Sequence, residues 1–261
     1  VGISLLFLVL VAAFLVYWPS SMDKASRLRE ESLVTNGFTA RVAELEAQVV
    51  PNADWDDAVQ NLAVAWSIDW ARDNIGVYFI QTAHFDSAWV LDPSNRPVYG
   101  RVGGKDVEPG GFAGLDAATR GVVEKVRHAE AARGPLRPSD AGDVISKPIQ
   151  ASTVALVDGA PSVLTATLVQ PDFGKALPPG DRAPIVLTER KLGGEFLDAF
   201  SNRYLLTGAT VAAVSAPKPG MAQAGLSVGG EPAVAVMRWT PHTPGRELLK
   251  RILPPLAGLF R

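Results

Sequence analysis

No feature constrains this chain more than its first eighteen residues, Val1 to Trp18, which carry no charged side chain. At about 1.5 Å of rise per residue they extend about 27 Å as a helix, close to the roughly 30 Å hydrocarbon core of a bilayer. Tyr17 and Trp18 fall where an interfacial aromatic belt belongs. A cleaved signal peptide would need a small-residue cleavage site, whereas this apolar run leads straight into Tyr17, Trp18 and Pro19. The segment therefore predicts an uncleaved transmembrane helix over residues 1–18. At the far end, Lys250 and Arg251 precede Ile252 to Phe260, an apolar run too short to span. Residues 249–261 are expected to begin a second transmembrane helix, with the two basic side chains snorkelling to the headgroups. A folded domain over residues 52–240 is thus expected between two membrane segments.

The charge balance excludes one class of partner. Net charge is −2, and Lys and Arg are scattered among Asp and Glu rather than clustered as a nucleic-acid surface requires. The absence of cysteine removes disulfides, thiolate metal sites and cysteine nucleophiles together. His84, His128 and His242 lie far apart with no metal-ligand spacing. His84 has Asp86 and Ser87 beside it, but residues so close on one strand alternate faces and do not assemble a triad. Gly103-Gly104 and Gly110-Gly111 lack the strand-to-helix context of a phosphate loop. The chain is expected to hold no catalytic site, no metal and no cofactor.

Between the termini the pattern is α+β. Residues 20–50 read as a long membrane-proximal helix, interrupted at Pro51-Asn52. Along it Phe38, Val42, Leu45 and Val49 form a narrow apolar seam, which suits a parallel homodimer or packing on its own domain; the homodimer is the expectation adopted. Trp55, Val59, Leu62, Trp66 and Trp70 make the stripe of a second helix, with Trp66, Trp70 and Trp89 read as core. Hairpins are expected at Ser87–Leu91 with Pro97–Gly100, and at Thr153–Val157 with Ser162–Val169. Gly103 to Gly114 reads as a loop and Leu115 to Arg133 as a helix ended by Gly134 and Pro135. Further strands are expected at Ala183–Leu187, Thr207–Val214, Ala224–Val228 and Ala233–Trp239, with a short helix near Gly194 to Asn202.

Three stretches occur in a fixed order: Trp55-Asp56-Asp57-Ala58-Val59, then Asp69-Trp70-Ala71-Arg72-Asp73-Asn74-Ile75-Gly76, then the hairpin from Val90 to Gly100. Together they resemble the CHASE family of extracellular sensor domains, fourth class, closely from Phe38 to Arg101 and more loosely to Thr240. The resemblance implies a PAS-like fold, with a long N-terminal helix and an antiparallel sheet facing a ligand pocket. It further implies a place outside the cytoplasmic membrane, joined to a cyclic-di-GMP synthase or phosphodiesterase or to a histidine kinase. Pro51-Asn52 departs from the family pattern, in which the helix runs on. The expected binding residues for an unknown small molecule are Trp55, Asp56, Asp57, Asn61 and Trp89. Asp57 is expected to face a cavity between the Trp55–Asn61 helix and the Ser87–Leu91 strand, while Asp56 caps or binds locally. The acids could hold a cationic ligand beside the indole; as a bland alternative they complement a helix N-terminus. The competing reading is an envelope domain that binds a protein partner.

Overall fold

A computed structural model describes the backbone of residues 2–137 and 147–258, and the side chains of residues 17–137 and 147–252. Its framework is a six-stranded antiparallel sheet in the order β3-β2-β1-β6-β5-β4. The strands are β1 (Ser87–Leu91), β2 (Pro97–Val102), β3 (Lys105–Val107), β4 (Gln150–Val157), β5 (Ala160–Leu168) and β6 (Ile185–Lys191). A second sheet, β7-β9-β8, is built from β7 (Thr207–Ala213), β8 (Ala222–Leu226) and β9 (Ala235–Thr240). The class is α+β, as the sequence pattern predicts.

Both faces of the main sheet are covered, so β1, β5 and β6 are buried on alternate and intervening positions alike over most of their length. One face carries Ala88, Val90, Val163 and Val186, and packs against the long helix α1 (Gly2–Ala53), the segments after it and the second sheet. The other carries Trp89, Leu91, Leu164, Leu168, Ile185 and Leu187 beneath α4 (Ala113–Arg133). Leu115, Thr119, Val122 and Val126 of α4 recur at helical spacing and are buried.

Helix α1 corrects two expectations. Pro51 does not interrupt it, and the helix continues to Ala53. A proline in the last turn forfeits only one backbone bond, and Asp54 N–H still donates to the Val50 carbonyl at 2.8 Å. The seam Phe38, Val42, Leu45 and Val49 is fully buried in the chain's own core, so it is not a dimer interface. Each such side chain contributes about 1.5–3 kcal/mol by leaving water, which the fold of one chain already uses.

After α1 the helical stripe breaks. The pieces are α2 (Asp56–Val59), a π-helix Gln60–Val64, α3 (Ile68–Ala71) and a second π-helix Arg72–Thr82. Trp66 sits at the break between the first π-helix and α3 and is 45% exposed, contrary to its expected core position. Ser67 restarts the helix by accepting the Trp70 amide proton on its hydroxyl. The glycine-rich loop after β2 contains the short strand β3 and a 3₁₀ turn, Pro109–Phe112. The hairpin turns lie where the sequence puts them. Asp92 accepts the Ser94 and Arg96 amides at 2.8 and 2.9 Å, and Asp158-Gly159, both at positive φ, form the two-residue turn between β4 and β5.

The first and last helices meet. After α5 (Gly194–Tyr204), which follows β6, the last helix α6 (Pro244–Gly258) docks beside α1, with Gly245 so close to Pro19 that a Cβ at position 245 would fall 2.0 Å from the Pro19 carbonyl oxygen. Asp23 accepts the Gly245 amide at 2.7 Å, and Glu30 accepts the Trp239 indole at 2.8 Å and the His242 amide at 3.1 Å. Among the described residues no helix is long and apolar enough to cross a membrane. The two expected spans, residues 1–18 and 249–261, fall mostly on side chains outside the described residues.

Candidate functional site

The five expected binding residues do not come together. Asp56 is buried, and its carboxylate accepts the amides of Phe173 at 3.2 Å and Ala176 at 3.1 Å. Its own amide donates to Asp172, and Trp55 N–H donates to the Gln170 carbonyl at 2.8 Å. The motif thus ties the end of α1 to the loop following β5. Asp57 points to solvent, so the expectation that it faces a cavity is overturned. Asn61 donates to the Asp57 carbonyl one turn back, at 2.9 Å, and Trp55 packs on Trp70 with ring centroids 5.9 Å apart. Trp89 lies on the opposite face of the sheet, within the core under α4. The reason is parity: Ser87, Trp89 and Leu91 share one face of β1, and α1 covers the other.

The second motif is also a joint. Gly76 admits the Tyr99 hydroxyl so closely that a Cβ there would meet it at 2.0 Å. Asp106 then gathers Tyr99 Oη at 2.8 Å, Arg101 at 2.6 Å and Arg72 at 3.0 Å. Desolvation pushes the Asp106 carboxyl up, but the hydrogen bonds from these three donors outweigh it and hold the group below the usual carboxylate range. Burial and the bond to Asp106 push the Tyr99 phenol up.

The face beneath α4 carries a different feature. Glu189, on β6, follows Ile185 and Leu187 on the apolar parity and is 4% exposed. Its Oε2 accepts the Ser87 hydroxyl at 2.9 Å and its Oε1 the Ser162 hydroxyl at 2.9 Å. The Trp89 indole donates to Ser87 Oγ at 3.2 Å, extending the relay. Ser87, Trp89 and Glu189 edge a cavity of about 280 Å³ between the sheet, the start of α4 and the β4–β5 turn, where Gly111, Gly114, Asp158 and Lys191 complete the wall. A side chain at position 111 would approach the Trp89 ring at 3.5 Å, so glycine there leaves the space open. Sequence reasoning missed Glu189 and Ser162. The available signal was an acid on the same alternation as Ile185 and Leu187, in a strand extending past Leu187.

A larger cleft of about 530 Å³ lies at the other end of α4, beside Arg127, Glu130, Arg133 and Arg182. Its charges are consumed by the fold. Arg127 donates to Asn95, the Ala183 carbonyl and Glu130, while Glu130 also accepts the Ala183 amide at 2.7 Å. Arg133 donates to Gln170 at 3.0 Å. That network clamps the C-terminal end of α4 onto the sheet.

An antiparallel sheet with α4 over a polar cavity on one face and the long helix α1 on the other defines an α+β domain. A family model described as the CHASE4 domain matches residues 38–211, from Phe38 in α1 to Val211 in β7, and the chain belongs to that family. CHASE4 is a family of extracellular sensor domains in signalling proteins. No curated protein matches the chain.

Proposed function

We propose that this chain is the extracytoplasmic, PAS-like ligand-sensing region of a membrane-bound signalling protein, and that its ligand occupies the cavity under α4. The output is cyclic-di-GMP synthesis or degradation on the cytoplasmic side. Family membership supports the sensor class. The single observation that carries the site is the buried Glu189, edging a cavity with no ion-pair partner among the described residues. The membrane segments are residues 1–18 and the stretch beginning at 249, and the docking of α6 on α1 brings the chain next to both to one side of the domain. A ligand that binds one arrangement of α4 and the sheet more tightly shifts its population, and the shift is felt at the paired helices.

The test is a thermal-shift screen of the intact chain against small metabolites, run in parallel on Gly111→Leu, which fills the cavity. A compound that stabilises the natural chain and not the filled variant is expected. If every stabilising compound acts equally on both, the cavity is not the site.

A second reading, an envelope domain binding a protein partner, rests on the apolar side chains of Val64, Trp66 and Ile68, which stand 48%, 45% and 43% exposed around one break. Trp66→Ser would then abolish capture of that partner while leaving the small-molecule screen unchanged.

A further inference from the structure

Resting on the reading of the cavity as a ligand site, we infer that the ligand presents a compact organic cation, a primary ammonium, to Glu189. Four observations converge. The carboxylate is almost wholly buried, and its two serine partners each donate one hydrogen bond, leaving acceptor capacity on both oxygens. No ion pair to Glu189 exists among the described residues, and an uncompensated buried charge is costly to a fold. Trp89 is fully buried behind this wall, packed on Phe112 at 5.2 Å, and its indole donates to Ser87 Oγ, which orients the Ser87 hydroxyl toward the carboxylate and so holds Glu189 in place at the cavity. The wall carries Glu189 and Asp158 against the one cation Lys191, so its charge balance is negative.

Each alternative for Glu189 is weaker. It takes no part in clamping an element, unlike Asp56 or Glu130, because both its partners are side-chain hydroxyls of strands already paired by the backbone ladder. Lys191 lies two residues along β6 on the same face and is exposed at the rim, yet forms no ion pair with Glu189. The cavity holds roughly nine waters' worth of volume at about 30 Å³ each, which limits the ligand to a small molecule.

The experiment measures binding of butylammonium, 1-butanol and butyrate to the intact chain by ligand-observed NMR, which registers weak binding. Butylammonium is expected to bind and the other two are not. Glu189→Gln should weaken it about ten- to a hundredfold, the value of a charge-assisted hydrogen bond. Gly111→Leu should abolish it. Lys191→Glu alters only an exposed rim residue and should tighten butylammonium severalfold, so the inference stays testable even where Glu189→Gln folds poorly. No binding of butylammonium, unchanged affinity in Glu189→Gln, or no gain in Lys191→Glu would overturn the cation. Butanol or butyrate binding that Gly111→Leu removes would also overturn it, while leaving the cavity as the site. Butylammonium binding that persists in Gly111→Leu would overturn the location and the cation together.

Discussion

Two adjacent aspartates illustrate how finely position divides roles. Asp56 and Asp57 differ by about 100° around a helix, so only one can point inward. The inward one, Asp56, accepts two loop amides; the outward one meets solvent. Asp56→Asn is therefore expected to cost about 2 kcal/mol and Asp57→Asn less than about 0.5 kcal/mol, measured by denaturant unfolding. Gly100 makes a parallel case on β2. It lies opposite Trp89, and a Cβ there would come 2.2 Å from the indole ring. Gly100→Ala should destabilise the chain by about 1–3 kcal/mol and shift tryptophan fluorescence, because the displaced ring must enter the cavity or the α4 core. Neither consequence was visible in the sequence. The identity of the residue was, but what stood across from it was not.

At the scale of elements, the β1–β2–β3 meander is held by two carboxylates with depressed pKa values. Desolvation raises Asp92, but the amide and guanidinium of Arg96 and the Ser94 amide overcome it; Asp106 is lowered by its three donors. For both, the folded value lies below the unfolded one, so the unfolded chain takes up protons first as pH falls. Their contribution is present above the ordinary carboxylate range near pH 4 and is lost as the pH drops through it. Thermal unfolding between about pH 3 and pH 6 should show this loss, and Asp106→Asn should flatten the profile. The hairpins, α4 and the strand alternation were legible because each rests on local chemistry: an Asx turn, a glycine at positive φ, a 3.6-residue stripe. The broken segment from Asp56 to Thr82 was not legible. Its aromatic spacing is that of an unbroken helix, and only its docking against α1, β1 and β2 imposes the π-turns and exposes Trp66.

At the scale of the whole molecule, the second sheet joins the cavity's roof to the paired helices α1 and α6. Glu231, before β9, is held below its usual pKa chiefly by hydrogen bonding to Lys125 of α4, and it accepts the Thr153 hydroxyl at 2.7 Å. Trp239, near the end of β9, and His242 just beyond it engage Glu30 of α1. Replacing Asp23 and Glu30 together by Asn and Gln should release α6. The expected outcome is amide exchange over residues 244–252 about tenfold faster or more, with β1, β5 and β6 unchanged. Equal acceleration in the central strands would show instead that α6 is integral to the core.

The sequence by itself determined the α+β class, most of the strands, the long first helix and membership of a sensor family, because these depend on periodicity and on short motifs read within a few residues. Tertiary structure alone decided what the motifs do. The aspartate pair became a staple because a loop more than a hundred residues away offers its amides to Asp56. The seam on α1 became core because the sheet lies against it. The candidate site moved to Glu189 because β1, β5 and β6 bring Ser87, Ser162 and that acid onto one face under α4, a meeting set by strand order and register that no local stretch encodes.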